Sequence, residues 1–499
     1  MFDFGRRDFL KTAALAGVAT AAAELSADCV TGESGAMMQG FRVDPIRHLR
    51  VGVVGLGKRG QGGLHRLSDI PGVEVAAICD LYVERVQEQR EWLKEHKKPA
   101  AREYVGPESF KALCESELDA VYVVTSWATH VPIALYAMEH GKHVFIEVPA
   151  ATRLDECWAL VETAERTRRH CMQLENCCYG EAEMLCLSMA RQGVFGELVH
   201  GEGAYIHDLR EGCYSCWDHM IRPGSTGLRG YTDYWRLMHN AVHKGNQYET
   251  HGLGPICQYM NINRGDRIER LVSLESDQFN YEAYARAKFS AANWRNRLPI
   301  AMGDMNMTVL KTAKGRSILV EHDVSSPRPY SRHNVLTGTK GAFSGIYFFD
   351  KVEDAFENGC PCHFGWEENP GESVHKWFDF EKTKAMREKY RHPLWRDAGE
   401  FAKKVGGHGG MDFLMDLRWC YCLQNGLPLD TDVYDLATWC SLGELTERSV
   451  RRGNEPMELP DFTRGGWKTA KPLGLETVDL TKMGLELDKV QADSSALNV

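Results

Sequence analysis

The chain has 499 residues, enough for two or more packed cores rather than one small one. Hydrophobic residues make up 43% and charged residues 26%, the balance of a globular protein and not of a disordered one. A formal charge of −10, with no basic stripe interleaved with aromatics, argues against a nucleic-acid binder.

At the start, Arg6-Arg7-Asp8-Phe9-Leu10-Lys11 precedes a small-residue apolar run from Thr12 to Ala23. The arrangement resembles a bacterial twin-arginine export signal. The run is too short and too alanine-rich for a stable membrane span. Residues 1–30 are therefore expected to be a signal, with cleavage after the Ala21-Ala22-Ala23 stretch, and residues 31–47 a polar linker. Asp28 is a poor lipobox residue before Cys29, so a lipid anchor is not expected. The protein is expected in the periplasm or outside the cell. Because this export route carries folded proteins, a cofactor could be loaded before crossing.

Leu49 to Val54 is an apolar run of the kind that forms a parallel strand buried on both faces. Gly55-Leu56-Gly57-Lys58-Arg59-Gly60 follows, a full G-x-G-x-x-G, ahead of a predicted helix carrying Leu64, His65 and Leu67. A second apolar run, Val73 to Cys79, ends in Asp80, twenty residues past Gly60. The glycines permit a tight turn and bring backbone N–H groups close to a pyrophosphate at the positive end of a helix. The acid can accept hydrogen bonds from an adenosine ribose diol. Strand, glycines, helix, strand and acid in register point to a dinucleotide. Asp80 favours NAD over NADP, although Lys58 and Arg59 leave room for a 2′-phosphate.

Tyr82 to Lys97 is a predicted amphipathic helix and Phe110 to Cys114 part of another. Ala120 to Thr125 is a buried strand leading into Ser126-Trp127-Ala128-Thr129-His130, and a helix is expected over Pro132 to Glu139. Val144 to Ile146 then delivers Glu147-Val148-Pro149. Strands alternating with helices imply a right-handed, doubly wound parallel sheet, whose ligands bind beyond the carboxyl ends of its strands. That rule gathers Asp80, Thr125 to His130 and Glu147-Val148 round one crevice. His130 suits a helix N-terminal residue as well as a ligand.

Leu154 to His170 reads as a long helix and Met172 to Glu175 as a short strand ending at Asn176. Strands are then expected at Leu198 to Ile206, Arg270 to Leu274, Met305 to Lys311 and Arg316 to Glu321, the last two forming a hairpin round a Lys-Gly turn. Met411 to Asn425 and Val433 to Arg452 read as helices packed back on the body. The expected fold class is α/β: an N-terminal doubly wound nucleotide domain over 48–176, then an α+β substrate and oligomerisation domain with a largely antiparallel open sheet over 177–405. C-terminal helices occupy 406–475 and a tail 476–499. The sixteen cysteines are scattered, mostly in apolar runs. Cys213-Tyr-Ser-Cys216 is the one CxxC, and the spacing of Cys360-Pro-Cys362 does not complete a zinc set, so no structural metal is expected.

Three features together resemble the glucose–fructose oxidoreductase and inositol dehydrogenase family of two-domain NAD(P) proteins. They are the opening nucleotide motif, the segment Thr125 to His130, and Gly141-Lys142-His143-Val144-Phe145-Ile146-Glu147-Val148-Pro149. Dehydrogenases of that family carry Glu-Lys-Pro where this chain has Glu147-Val148-Pro149, and the lysine assists proton transfer. An apolar Val148 makes a plain sugar or polyol dehydrogenase less apt.

Further stretches resemble glycoside hydrolase family 109, NAD-dependent glycosidases known for α-N-acetylgalactosaminidase activity. They are Glu175-Asn176, Gly203 to Asp208, Tyr234-Trp235-Arg236, Tyr248 to Pro255, Pro327 to Tyr330 and Gly409 to Asp412. The resemblance implies NAD contacts from Lys58, Arg59, Asp80, Trp127, Ala128, Thr129, His130, Glu147, Val148 and Asn176, beside Gly55, Gly57 and Gly60. It implies substrate contacts from Tyr205, Arg236, Tyr248, Glu249, Thr250, His251 and Tyr330. It also implies a retaining cleavage of terminal α-linked N-acetylgalactosamine by C3 oxidation, C1–C2 elimination, water addition and re-reduction, and a dimer through the second sheet.

His251 suits the acid/base role because imidazole titrates near neutral pH, with Tyr248 close enough to share the proton. Before Gly-Leu-Gly-Pro, His251 equally suits a turn, Tyr205 is by default a packed aromatic, and Glu147 can shape the nicotinamide site without moving protons. Two rival functions stand beside the glycosidase: a net oxidoreductase acting on a sugar or polyol, and a catalytically silent sugar or nucleotide sensor.

Overall fold

β1 (Leu49–Val54) lies at the centre of a parallel sheet, between β2 (Val73–Asp80) and β4 (Ala120–Val123). Outside them lie β3 (Arg102–Val105), β5 (His143–Ile146) and β6 (Cys171–Gln173), in the order β3-β2-β1-β4-β5-β6. The computed structural model describes residues 37–215, 231, 234–345, 363–366, 377–378 and 380–485. The expected signal with Cys29, together with Cys216, Cys360, Cys362 and residues 486–499 of the tail, lies outside the described residues. All of β4 and β5 is buried, as strands covered on both faces must be. The chain goes from β1 to one side and returns across it to β4, so a crevice opens at the carboxyl ends of these two strands.

Two elements of this nucleotide sheet domain differ from the sequence reading. β3 is an edge strand, Arg-Glu-Tyr-Val, paired with β2 from Ala77 and Arg102 onward. Three of its four residues are exposed, so no apolar run announces it. The helix expected from Pro132 begins earlier and runs over Trp127–Glu139. Pro132 falls in its second turn, where the missing N–H leaves only the carbonyl of exposed Ala128 without an intrahelical partner. Trp127 to His130 are therefore the first turn of a helix that starts at the crevice.

The second sheet joins β7 (Leu198–Ile206), β8 (Ile268–Glu275), β9 (Asn306–Thr312), β10 (Ser317–Asp323), β11 (Val335–Gly338), β12 (Gly341–Ser344), β13 (His363–Trp366) and β14 (Met457–Glu458). Its order is β13-β12-β11-β7-β10-β9-β8-β14. Every neighbouring pair is antiparallel except β7 with β10. β9 and β10 form the expected hairpin, and β9 alternates strictly between buried and exposed residues. One face of this sheet is thus covered and the other open.

The helix Thr250–Tyr259 lies on the covered face of β7. A Cβ on Gly203 would stand 2.0 Å from the Gly252 carbonyl oxygen, so the two backbones meet only because both residues are glycine. That close approach sets His251 beside Tyr205, ring centroids 5.2 Å apart.

The helices Met411–Asn425 and Val433–Arg451 tie the two sheets together. Trp419 stacks on Phe145 of β5 with centroids 3.8 Å apart, and Asp416 accepts hydrogen bonds from Arg66 and Tyr122. The second helix packs on Leu154–Thr167 and on β8, where Ser449 Oγ accepts the Ser273 N–H. The described cysteines are all buried and form no disulfides, in line with their apolar setting in the sequence.

Candidate active site

The turn after β1 is built for a diphosphate. Gly57 caps the helix Lys58–Ser68 without a side-chain hydrogen bond, so the first-turn N–H groups face outward for a ligand. A Cβ on Gly60 would fall 1.9 Å from the Gly55 carbonyl oxygen, so the turn closes only on glycine. Asp80, at the end of β2, accepts the Leu56 N–H at 2.7 Å and the Tyr82 N–H at 3.0 Å. Arg85 Nη1 stands 3.6 Å from the same carboxylate, a buried neighbour that no sequence motif marked. Lys58 is exposed at the first helical position. These residues fit a bound NAD: an uncapped helix N-terminus, a backbone that can be approached closely, and an acid where the adenosine ribose would rest.

Arg59 spans the crevice. Its Nη2 donates to Glu147 Oε1 at 2.6 Å and its Nη1 to Asp412 Oδ2 at 2.8 Å. Asp412 also accepts from Asn176 Nδ2 at 2.5 Å and lies 2.9 Å from His408 Nδ1. Arg59, Glu147 and Asn176 were expected at the cofactor; Asp412 and His408, which connect them, were not. Val148 is buried, accepts Trp127 Nε1 through its carbonyl at 3.2 Å, and offers no proton-transfer group. Thr129 Oγ1 donates to Thr125 Oγ1 at 2.8 Å, and Ala128 is exposed beside it. The ring nitrogens of His130 lie 3.0 Å from the Pro149 carbonyl oxygen and 3.1 Å from the Thr125 carbonyl oxygen. Burial lowers its pKa despite the two carbonyls, so the ring is neutral and its single N–H donates to one of them.

Beyond the nucleotide crevice lies an aromatic cage around one cation. Arg236, 4% exposed, has its guanidinium carbon 4.8 Å from the Tyr248 ring centre, 5.2 Å from Trp127, 5.3 Å from Tyr231 and 5.9 Å from Tyr205. Its Nη1 donates to Tyr231 at 2.8 Å, whereas Nε and Nη2 find no partner among the described residues. An arginine stays charged, and its buried N–H groups need acceptors. Tyr205 meets His207 Nδ1 at 3.2 Å, and burial, then Arg236, pushes the His207 imidazole down to about 4. Tyr330 is half exposed at the rim, 5.2 Å from the His207 ring, and accepts a hydrogen bond from Arg332 at 3.2 Å.

His251 and Tyr248 meet at the floor of this cage, rings 4.9 Å apart and perpendicular. His251 Nδ1–H donates to Glu175 Oε1 at 2.7 Å. Burial disfavours the Glu175 carboxylate, but the attraction of His251 and its hydrogen bonds outweigh that and hold its pKa below the usual range. Cys177 Sγ lies within 4.8 Å of both groups. The 2.7 Å separation is nonetheless that of a hydrogen bond, shorter than the roughly 3.3 Å between two donors each about 2.0 Å from a tetrahedral zinc. Burial pushes the Tyr248 phenol well above its usual value, so it stays protonated. Glu249 and Thr250, expected to touch substrate, are 1% and 0% exposed. Burial, then Glu175, lifts the Glu249 carboxyl far above the carboxylate range and keeps it neutral.

Two family models divide the chain between them. "Oxidoreductase family, NAD-binding Rossmann fold" matches residues 49–174, and "Glycosyl hydrolase 109, C-terminal domain" matches residues 179–469. A glycosyl hydrolase family 109 protein of Shewanella pealeana is 44% identical over 94% of this chain and 98% of its own. Another from Porphyromonas gingivalis is 45% identical over 85% and 87%, respectively. A third, from Phocaeicola vulgatus, is 46% identical over 84% and 96%. Among solved structures, levoglucosan dehydrogenase in complex with NADH and L-sorbose covers 83% of this chain and all 100% of its own at a TM-score of 0.59 and 14% identity. The aldose–aldose oxidoreductase of Caulobacter crescentus covers the same 83% of this chain and 100% of its own, at 0.56 and 15%. At such identities these neighbours share the fold. The chain is an NAD-binding glycoside hydrolase and belongs to glycosyl hydrolase family 109.

Proposed function

We propose that the protein removes terminal α-linked N-acetylgalactosamine from glycans with retention, through oxidation and elimination, using an NAD that is not consumed. The observation that carries this reading is the state of the carboxylates Glu147 and Glu175. Most glycosidases flank the bond with one carboxylic acid and one free carboxylate. Here Glu147 is tied to Arg59 and Glu175 to His251, so neither serves as a free acid. The groups facing the sugar that can move protons are then the His251 imidazole and the Tyr248 phenol.

Gly55 to Gly60, Asp80, Trp127 to Thr129, Glu147 and Asn176 would hold NAD, which would supply a reversible hydride acceptor for C3 of the sugar and so acidify the proton on C2. His251 Nε2 takes that proton. Tyr248, protonated at neutral pH, donates to the oxygen leaving C1. Arg236 and Tyr205 hold hydroxyl or acetamido oxygens of the sugar, using the guanidinium N–H groups that have no partner among the described residues. Water then adds at C1 with His251 and Tyr248 reversing their roles.

A net sugar or polyol oxidoreductase is the second reading, and buried Val148 in place of a proton-transferring lysine speaks against it. We assign the nucleotide domain to 48–176 and the substrate domain to 177–405. We further propose export by the twin-arginine route, on Arg6-Arg7 and the apolar run behind it. No helix among the described residues is long and apolar enough to cross a membrane. Dimerisation through the open sheet is supported by exposed Val272, Leu274, Met307 and Val309, which pair across β8 and β9 into one apolar strip. A panel of chromogenic α- and β-glycosides without added NAD⁺ tests the activity. Cleavage of the α-N-acetylgalactosaminide supports the reading, and NADH formed from free sugars with no glycoside cleaved replaces it by the oxidoreductase.

A further inference from the structure

We infer that Glu175 is a positioning residue for His251: it fixes the Nδ1–H tautomer and carries the counter-charge when Nε2 takes a proton from the sugar. The inference rests on His251 being the base. Glu175 lies just past β6 of the nucleotide sheet, and His251 opens a helix packed on the substrate sheet, 76 residues later. The 2.7 Å contact therefore also sets the imidazole at a fixed place relative to the nucleotide crevice.

Capping alone does not account for this carboxylate. Glu175 Oε1 accepts the Cys177 N–H at 3.0 Å and so caps the turn Asn176–Tyr179, a task that a neutral amide performs as well. The Thr250 hydroxyl also supports the carboxylate, as a neutral donor. A charge kept at 1% exposure on two neutral donors and one imidazole is costly unless the imidazole becomes positive.

The groups facing His251 leave Glu175 as its source of negative charge. From the same turn comes Cys177, from β7 comes Tyr205, and from just past its end comes His207. Tyr248 precedes the His251 helix, and Arg236 reaches in from the helix Trp235–Val242. Burial holds Cys177, Tyr205 and Tyr248 protonated and His207 neutral. Arg236 is positive and opposes an imidazolium. Glu175 alone in this set is anionic, and at 2.7 Å it is the counter-charge for an imidazolium formed at Nε2. With the proton fixed on Nδ1, the Nε2 lone pair faces the site.

The test uses the full chain and a chromogenic α-N-acetylgalactosaminide, comparing Glu175→Gln, Glu175→Asp and His251→Ala. Glutamine keeps the acceptor for Cys177 and for Nδ1–H while removing the charge. Glu175→Gln is expected to keep KM within about threefold, lower kcat by about 10²–10³-fold, and move the acidic limb of the kcat/KM profile about one pH unit lower. Glu175→Asp restores the limb and part of kcat. A Glu175→Gln enzyme whose limb does not move overturns the inference, whether kcat falls or not. If the glutamine variant does not fold, a Glu175→Asp enzyme with its limb in the wild-type position and reduced kcat supports the inference, and a displaced limb overturns it. His251→Ala separates the two levels: unchanged turnover there removes the base itself, whereas an inactive alanine variant beside a wild-type-like Glu175→Gln removes only Glu175.

Discussion

Arg59 Nη1 donates to Asp412 Oδ2 at 2.8 Å, joining the opening nucleotide turn to a helix 353 residues further along the chain. The same carboxylate receives Asn176 and stands 3.7 Å from Arg66 Nη1. Burial disfavours its charge, but Arg59, His408 and Arg66 outweigh that and hold its pKa well below the ordinary aspartate value. One residue of the C-terminal helix thus orients two side chains of the cofactor crevice.

Asp412→Asn is expected to cost about 3 kcal/mol at neutral pH, the lower part of the range for a broken buried pair because Arg59 is partly exposed. A carboxylate with a depressed folded pKa contributes its full stability above the unfolded value, about 3.9, and loses it as pH falls through the folded value. Urea unfolding at about pH 7 and about pH 3 should therefore show the gap between wild type and variant shrinking at the lower pH. An equal gap at both would contradict the ion-pair account.

Arg236→Met separates function from stability. The buried guanidinium has one hydrogen bond and no carboxylate partner among the described residues, so an apolar side chain of similar length should leave stability within about 1 kcal/mol of wild type. Glycoside kcat/KM should fall about 10–100-fold, the loss of charged hydrogen bonds to substrate. Thermal unfolding and steady-state kinetics on one preparation check both; a large loss of stability with KM unchanged would make Arg236 a packing residue.

Gly60→Ala forces a Cβ to 1.9 Å from the Gly55 carbonyl oxygen, so the turn must open. NAD released by acid from the purified variant should drop about tenfold or more per mole of protein. Full occupancy would show that the cofactor does not depend on this turn.

Val309→Asp, at a site 53% exposed on the open sheet, should change folding stability by no more than about 0.5 kcal/mol. Sedimentation velocity should show the variant as a monomer and the wild type as a dimer. Identical species would remove the open sheet from the interface.

The nucleotide half was legible because its strands are short apolar runs with glycines and Asp80 at fixed offsets, so local pattern and fold agree. β3 escaped because an edge strand of Arg102 and Glu103 has no apolar signature. The start of the helix at Trp127 was obscured by Pro132, which reads as a helix start and sits instead in the second turn. His251, Tyr248 and Arg236 could be named from the family resemblance, and the fold gathers them around one cage. Glu175 and Asp412 could not be given roles in advance. Each acts on a residue far away in sequence, and nothing local distinguishes a carboxylate that braces an imidazole from one that caps a turn.

The most direct test of oxidation–elimination is hydrolysis of the chromogenic α-N-acetylgalactosaminide in D₂O without added NAD⁺, with the product sugar read by NMR or mass spectrometry. Proton removal by His251 and return from solvent predict deuterium at C2 of the released sugar. Cleavage with C2 still fully protiated would contradict it.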